Sequence, residues 1–356
     1  MKILHVITTL YTGGAEKLMV DLLPRLKAAG HEADLCIFDG SRTPFYEEIT
    51  AKGIKVIDFG VGNSVYNPKN ILKLRKLVRN YDIIHTHNTS PQFFAALANI
   101  GIGKNLITTE HNTHNRRRNL AGFSSIDRWM YNQYQSVICI SDKAEENLRE
   151  FINNDTQKIN VIYNGIDVAK FSEAPKSDEL EAIASDAKKV VMVAAFRPQK
   201  DQQTLIKAIQ YLPENFHLYL IGEGECLQEC KNLTESLGLS ARVHFMGRRS
   251  NIGELLKAGD YIVMSSHYEG LSLSSIEGMS VGKPFLASDV DGLREVVQGF
   301  GVLFPHEDEK ALASEILNLD KTKEEYNRVA GACYQRALQF DISKMVEGYL
   351  NTYRSI

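Results

Sequence analysis

The sequence predicts an α/β protein of two Rossmann-like, doubly wound parallel-sheet domains in tandem, and three observations carry that expectation. Short β-rich apolar runs alternate with longer amphipathic ones almost from end to end, the pattern of strands alternating with covering helices. The alternation comes in two series, separated by the polar stretch SEAPKSDELEAIASDAK. The length, 356 residues, corresponds to about 2.4 domains at roughly 150 residues each.

The first series opens with KILHVIT at 2–8, then a helical pattern from Ala15 to Ala29 with Leu18, Leu22, Leu23 and Leu26 on one side and Gly30 as its stop. Strand-like runs follow at 33–38 (ADLCIF), 54–59 (IKVIDF), 81–87 (YDIIHTH), 105–111 (NLITTEH), 136–141 (SVICIS) and 159–165 (INVIYNG). The second series places strands at 189–196 (KVVMVAAF), 217–224 (HLYLIGEG), 243–247 (VHFMG), 261–266 (YIVMSS), 283–289 (KPFLASD) and 301–304 (GVLF). The tail from Phe340 to Ile356 is a helical pattern expected to cross back onto the first domain, which gives an N-terminal domain of 1–170 joined by 340–356 and a C-terminal domain of 171–339. Ligands of such sheets bind beyond the carboxyl ends of the strands, so the residues just after each strand are the candidates for function.

Hydrophobic residues at 44% and charged residues at 24% exclude a disordered, collagen-like or coiled-coil chain. No apolar run approaches the roughly 20 residues that cross a bilayer, and the N-terminal run reads as a first strand, not a signal peptide. A net charge of -3 offers no bulk attraction to nucleic acid. The charge is uneven, with 20 Lys and Arg against 16 Asp and Glu over residues 1–165 and 21 against 28 beyond. Five scattered cysteines, Cys36, Cys139, Cys226, Cys230 and Cys333, suit a reducing, cytoplasmic compartment. Cys226 and Cys230 lack the second ligand pair of a structural zinc site, and no metal is expected there.

Three motifs stand directly after strands. EGLSLSSIE carries Glu269 and Glu277 eight apart, on a loop and on a helix that begins near Leu273. The free N–H groups at that helix start suit a phosphate or sugar hydroxyls, and Glu277 could accept two hydrogen bonds from a ribose diol. The duller reading makes Glu269 a helix cap and Glu277 a surface residue. FRPQKD places Arg197 and Lys200 three apart in a strand-to-helix turn, a cationic clamp for a diphosphate if the two are not simply solvated charges. Gly13 and Gly14, in TGGAE, allow a backbone to pass close to a ligand at a helix start. Neither GxGxxG nor GxxxxGK[ST] occurs in these turns, which demotes NAD and ATP.

The order and spacing of these motifs resemble the retaining glycosyltransferases of family 4, with the GT-B fold, and the resemblance runs over essentially the full chain. It takes in Gly13 and Gly14, IIHTHN with His85 and His87, TTEHN with His111, VIYNGIDVAKF at 161–171, FRPQKDQQTLIKA, LIGEGE, VHFMGR and EGLSLSSIEGMSVGKPFLASDVDGLREVV. It implies two Rossmann-like domains facing a central cleft. It further implies that Glu277 binds ribose, that Glu269 lies by the donor sugar and matters for activity, and that Gly270, Leu271, Ser272, Leu273 and Ser274 hold sugar hydroxyls and the distal phosphate. Arg197 and Lys200 would neutralise the diphosphate, His111 would sit beside the reacting sugar, Gly14 would belong to the loop near donor phosphate and acceptor, and Met246, Gly247 and Arg248 would fall at the base-contacting turn. Many relatives carry the arginine five residues before the lysine, where this chain has Ala195, so Arg197 matches a subset of the family.

The activity implied is metal-independent transfer of a hexose, without a cofactor, from a nucleotide-sugar donor, with a UDP-sugar as the expected one. The acceptor would be a saccharide or a polyprenyl or other lipid-linked hydroxyl, in cell-surface polysaccharide or glycolipid assembly. Other readings of the same residues are a UDP-sugar 2-epimerase and a non-catalytic nucleotide-sugar-binding protein. His85 and His87 flank one residue at a strand end and could hold a metal, against the family's habit. His114 with Arg116, Arg117 and Arg118 is a solvated charge run or a contact for an anionic acceptor. The segment 69–80, with Ile71, Leu72, Leu74, Leu77 and Val78 on one side and Lys69, Lys73, Arg75, Lys76 and Arg79 around the other, covers the sheet or docks on anionic lipid at the inner face of the cytoplasmic membrane.

Overall fold

The computed structural model describes residues 1–11, 13–111, 123–152, 158–183 and 186–356. Thr12, His114, Arg116, Arg117 and Arg118 lie outside the described residues. Two compact units emerge, Met1–Asn164 with Met345–Ile356, and Gly165–Lys344.

The first unit is built on a seven-stranded sheet, all parallel: β1 (Lys2–Ile7), β2 (Glu32–Ile37), β3 (Val56–Asp58), β4 (Ile83–His87), β5 (Asn105–Glu110), β6 (Ser136–Cys139) and β7 (Ile159–Val161). The strand order is β3-β2-β1-β4-β5-β6-β7. The order reverses direction between β1 and β4, which pair from Ile3 with Ile83 to Val6 with Thr86. That reversal opens a crevice at the strand ends. A parallel sheet covered on both faces selects near-continuous apolar strands, and Ile3, Leu4, Val6 and Ile7 are fully buried. His5 is buried among them at 0% exposure, a polar ring in an apolar run.

The helix after β1 runs Gly14–Ala28 and buries Leu18, Leu22, Leu23 and Leu26, the face that the 3.6-residue period marks out. Gly30, at φ +84°, adopts the left-handed conformation that stops it. The basic segment forms a helix over Lys69–Leu77 and a single 3₁₀ turn over Val78–Asn80. Its apolar side is narrower than the sequence implies: Leu74 and Val78 are fully buried, whereas Leu72 is 65% exposed. Two of its cations are tied inward, Lys73 to the carbonyl of Phe59 at 2.7 Å and Arg75 to the carbonyls of Ala98 and Ile100 at 2.8 and 2.7 Å.

The second unit has a six-stranded parallel sheet: β8 (Lys188–Val193), β9 (Phe216–Ile221), β10 (Val243–Gly247), β11 (Tyr261–Met264), β12 (Phe285–Ser288) and β13 (Val302–Phe304). The order is β10-β9-β8-β11-β12-β13, with the reversal between β8 and β11. The helix Leu273–Ser280 lies tight on this sheet because Gly278 has no side chain; a Cβ there would stand 2.7 Å from the Phe285 ring and 2.9 Å from Ile262. The last helix, Ile342–Arg354, starts after a parallel bridge between Ile166 and Asp341 in the second unit. Its body belongs to the first unit, where Tyr349 and Tyr353 are buried.

Leu22, fully buried in the first unit, gives a direct check of this packing. Leu22→Ala is expected to destabilise that unit by about 2–5 kcal/mol, read as a lower urea midpoint against wild type; a change within a few tenths of a kcal/mol would contradict the packing.

Candidate functional site

In the second unit, the two strongest motifs are joined into one constellation where the strand order reverses. After β8 the chain passes through Phe196 and Arg197 into a 3₁₀ turn, Pro198–Lys200, and the helix Gln202–Ala208, whose N-cap is Asp201. After β11 come Ser265, Ser266 and the loop bearing Glu269. The ammonium of Lys200 donates to Oε1 of Glu269 at 2.5 Å, and the Ser266 hydroxyl donates to the same oxygen at 2.6 Å. The Glu269 side chain is 8% exposed and that of Lys200 19%, so the pair is held in place by protein. Gln199 completes the stitch: its side-chain amide donates to the Tyr268 carbonyl, and its own carbonyl accepts from the His267 N–H, both at 2.8 Å.

Two glycines far along the sequence hold the loops in register. Gly224, at φ +156°, would put a Cβ 2.3 Å from the Phe196 carbonyl oxygen; Gly292, at φ +82°, would put one 2.2 Å from the Glu269 carbonyl oxygen. Only glycine fits at either place. Gly270 differs, because a Cβ there meets nothing within 4 Å and its φ is not positive, so packing does not require glycine.

Beyond Gly270 the chain crosses Leu271 to Ser272, the N-cap of the helix Leu273–Ser280. Ser272 Oγ accepts from the Ser275 N–H at 3.3 Å, so the cap is Ser272 and not Glu269. The N–H groups of Leu273 and Ser274 lie in the first turn of this helix, where the dipole favours an anion. Glu277 sits on the same helix, half-buried. Arg197 is exposed and makes no side-chain hydrogen bond or ion pair among the described residues. It lines a cavity of about 510 Å³ with Asp201, Lys207, Glu229, His267 and Glu307, whereas Lys200 is engaged by Glu269. Met246 is a core residue, 7% exposed, Gly247 accepts the Gly222 N–H at 2.9 Å, and Arg248 is exposed, so what Met246 and Gly247 offer a ligand at that turn is backbone.

In the first unit the candidates also gather at the reversal. Gly13 is the N-cap of the first helix, and Gly14 is its first residue, with nothing within 4 Å of a hypothetical Cβ. His111 directly follows β5, and its Nε2 lies 3.0 Å from Nδ1 of His87. His87 Nε2 in turn lies 3.1 Å from Nδ1 of His5. The rings of His5, His85 and His87 are stacked, with centroids 4.6 to 5.4 Å apart. Burial pushes His5 down to about 3 and His111 to about 4. His85 and His87 are held well below the usual imidazole value by burial first and the neighbouring rings second.

Among the described residues two groups have the spacing to hold a cation, His5 with His85 and His87, and His267 with His306 and Glu307. In the first, every ring nitrogen already has a protein partner. In the second, His267 Nδ1 meets His306 Nε2 at 2.7 Å. None of the five cysteines is in a disulfide.

Comparison with known proteins fits both halves. The family described as "Glycosyltransferase Family 4" matches residues 12–170, and "Glycosyl transferases group 1" matches residues 174–336. This chain belongs to the family 4 glycosyltransferases. Among relatives of this transferase is the UDP-Gal:alpha-D-GlcNAc-diphosphoundecaprenol alpha-1,3-galactosyltransferase of Escherichia coli, 27% identical over 63% of this chain and 62% of that protein. Another is the N-acetyl-alpha-D-glucosaminyl L-malate synthase of Bacillus anthracis, 25% identical over 97% of this chain and 94% of that one. The crystal structure of Anabaena HepE in complex with UDP superposes with a TM-score of 0.84 over the whole of both chains at 21% identity. The paired Rossmann-like sheets of this transferase are thus those of a GT-B enzyme.

Several partners in these sites carry no motif signal of their own. Ser266 reaches Glu269 three positions on, and Gln199 reaches the Tyr268 carbonyl 69 positions away. His5 and Tyr353 meet across 348 positions.

The histidines make a pH prediction. Their folded-state pKa values are lowered, so below the ordinary value near 6.5 the unfolded chain takes up protons that the folded one refuses. Stability contributed by these neutral rings is therefore lost as pH falls from about 6.5 toward about 4. Calorimetric Tm is expected to drop between pH 7 and pH 5, and His5→Gln to flatten that slope; an unchanged slope in the variant would contradict the assignment.

Proposed function

We propose that this family 4 transferase moves a hexose, with retention, from a UDP-sugar to a hydroxyl of a saccharide or polyprenyl or other lipid-linked acceptor, in assembly of a surface polysaccharide or glycolipid. The observation that carries the reading is the Lys200–Glu269–Ser266 cluster beside an open glycine, Gly270, and a helix N-terminus at the reversal of the second sheet. A glycine that neither conformation nor packing demands leaves room for a ligand to approach the backbone. The UDP complex of HepE and the name of the Escherichia coli relative support UDP as the nucleotide and a lipid diphosphate as the acceptor class.

In the proposed reaction the bond between the sugar C1 and the distal phosphate oxygen breaks while the acceptor oxygen bonds to C1 on the same face. The acceptor's proton passes to the departing phosphate oxygen, so the products are UDP and the glycosylated acceptor. Negative charge grows on the distal phosphate as the sugar becomes oxocarbenium-like. Lys200, Arg197 and the N–H groups of Leu273 and Ser274 answer that charge by preorganised electrostatics, without a metal. Glu269 holds Lys200 in position and lies by the sugar, while Glu277 accepts the ribose hydroxyls. To the first unit we assign the acceptor, with Gly13, Gly14 and His111 toward the transferred sugar.

Isothermal calorimetry with UDP tests the assignment. Lys200→Ala and Glu277→Ala should each weaken binding about 10- to 100-fold, the loss of one charge-assisted interaction. Glu269→Gln should lose turnover more than UDP affinity, and a chelator should leave wild-type turnover in place. Unchanged UDP affinity in both alanine variants would sink the site.

We also propose a peripheral membrane contact on the cytoplasmic side through Lys69, Leu72, Lys76 and Arg79, which are exposed and follow helical spacing. At about 1 kcal/mol per surface cation the contact is weak and salt-sensitive. Sedimentation with vesicles containing anionic lipid should capture the wild type at low salt and release Lys69→Glu/Lys76→Glu; equal capture of both rules this face out.

A further inference from the structure

Inside the first unit, six side chains form one continuous row of hydrogen bonds that ends at His111. His111 Nε2 meets His87 Nδ1 at 3.0 Å, His87 Nε2 meets His5 Nδ1 at 3.1 Å, and His5 Nε2 meets the Tyr353 hydroxyl at 3.3 Å. The same hydroxyl lies 2.7 Å from Nδ1 of His85, whose Nε2 lies 2.8 Å from the Thr109 hydroxyl. His5, His85, His87, Thr109 and Tyr353 are all buried, so no water replaces a missing partner cheaply.

A neutral imidazole carries one proton on two nitrogens. A ring that donates at one nitrogen must accept at the other, and the choice made at one end passes unchanged to the next ring. Tyr353 has a single hydroxyl proton and two imidazole neighbours. Hydroxyl donors make the shorter hydrogen bonds, so we assign the Tyr353 proton to the 2.7 Å contact with His85, which leaves the oxygen to accept from His5 at 3.3 Å. His5 is then protonated at Nε2, and His87 and His111 follow in the same sense.

We infer that Tyr353, on the C-terminal helix, is a positioning residue that sets the tautomer of His111 through His5 and His87, leaving Nδ1 of His111 as an unprotonated acceptor. Nδ1 of His111 has no hydrogen-bond partner among the described residues, so it is the atom offered to a ligand hydroxyl. The consequence for catalysis rests on the reading of His111 as the residue beside the transferred sugar; the tautomer itself does not. A fixed acceptor at Nδ1 takes the proton of a sugar hydroxyl and so orients that hydroxyl one way, and a polarity fixed in advance needs no reorganisation during reaction.

The test is ¹⁵N–¹H correlation NMR of the full chain labelled at histidine, at pH 7, with signals assigned by single His→Gln variants. The expected result is one shared tautomer, Nε2–H with bare Nδ1, at His5, His87 and His111. An Nδ1–H or doubly protonated His111, or three rings that do not share a tautomer, overturns the inference. In Tyr353→Phe, which loses only the hydroxyl, the His111 signals should move to values averaged between the two tautomers. A pure Nε2–H spectrum in that variant overturns the coupling. With the tautomer mixed, kcat of Tyr353→Phe should fall while the donor KM holds. Unchanged kcat with a mixed tautomer leaves the row standing and removes His111 from the reacting sugar, so the two readings fail separately.

Discussion

A parallel sheet covered on both faces by helices has little room for polar chemistry except at the ends of its strands. In each unit here the strand order reverses once, between β1 and β4 and between β8 and β11, and adjacent strands at that point send their connections to opposite faces. The gap so formed is lined by strand ends, helix starts and the turns between them. Gly14, His87 and His111 stand at this place in one sheet, and Lys200, Glu269 and the helix Leu273–Ser280 in the other. The topology decides where function can be, and the turn sequences decide what it is.

The Lys200–Glu269 pair shows how the turn sequences do so. Its carboxylate is nearly closed off from solvent, which would be costly for a lone charge, and the ammonium and the Ser266 hydroxyl together offset that cost. The pair also leaves part of the ammonium's donor capacity unspent, since a lysine has three N–H donors. A cation anchored on one side by a carboxylate is stiff, which is what aiming at a phosphate requires. Removing Glu269 would thus do more than remove a charge, because Lys200 would lose the group that fixes its direction.

Much of this was legible in the sequence because it is local. All thirteen strands among the described residues lie where β-rich apolar runs stand, since burial on both faces writes itself into consecutive residues. The start of the helix near Leu273 was readable from the loop after β11, although its cap, Ser272, was not. The narrow apolar face of Lys69–Leu77 was not, because Leu72 obeys the periodicity while lying just outside the buried stripe. Nor was the role of Lys200 as Glu269's partner, or of Gly292 beneath Glu269, since each depends on which strands become neighbours. His5 looks in sequence like a polar interruption of a strand; only β1 pairing with β4 puts it against His85 and His87.

The division of the chain has a bearing on how the protein is made. The first unit includes Met345–Ile356, yet all of Gly165–Lys344 is synthesised before that segment. The seven-stranded sheet therefore cannot cover Tyr349 and Tyr353 until the segment that follows the whole second unit has been made. One unit is continuous in the sequence, and the other is completed by a segment from the far side of it.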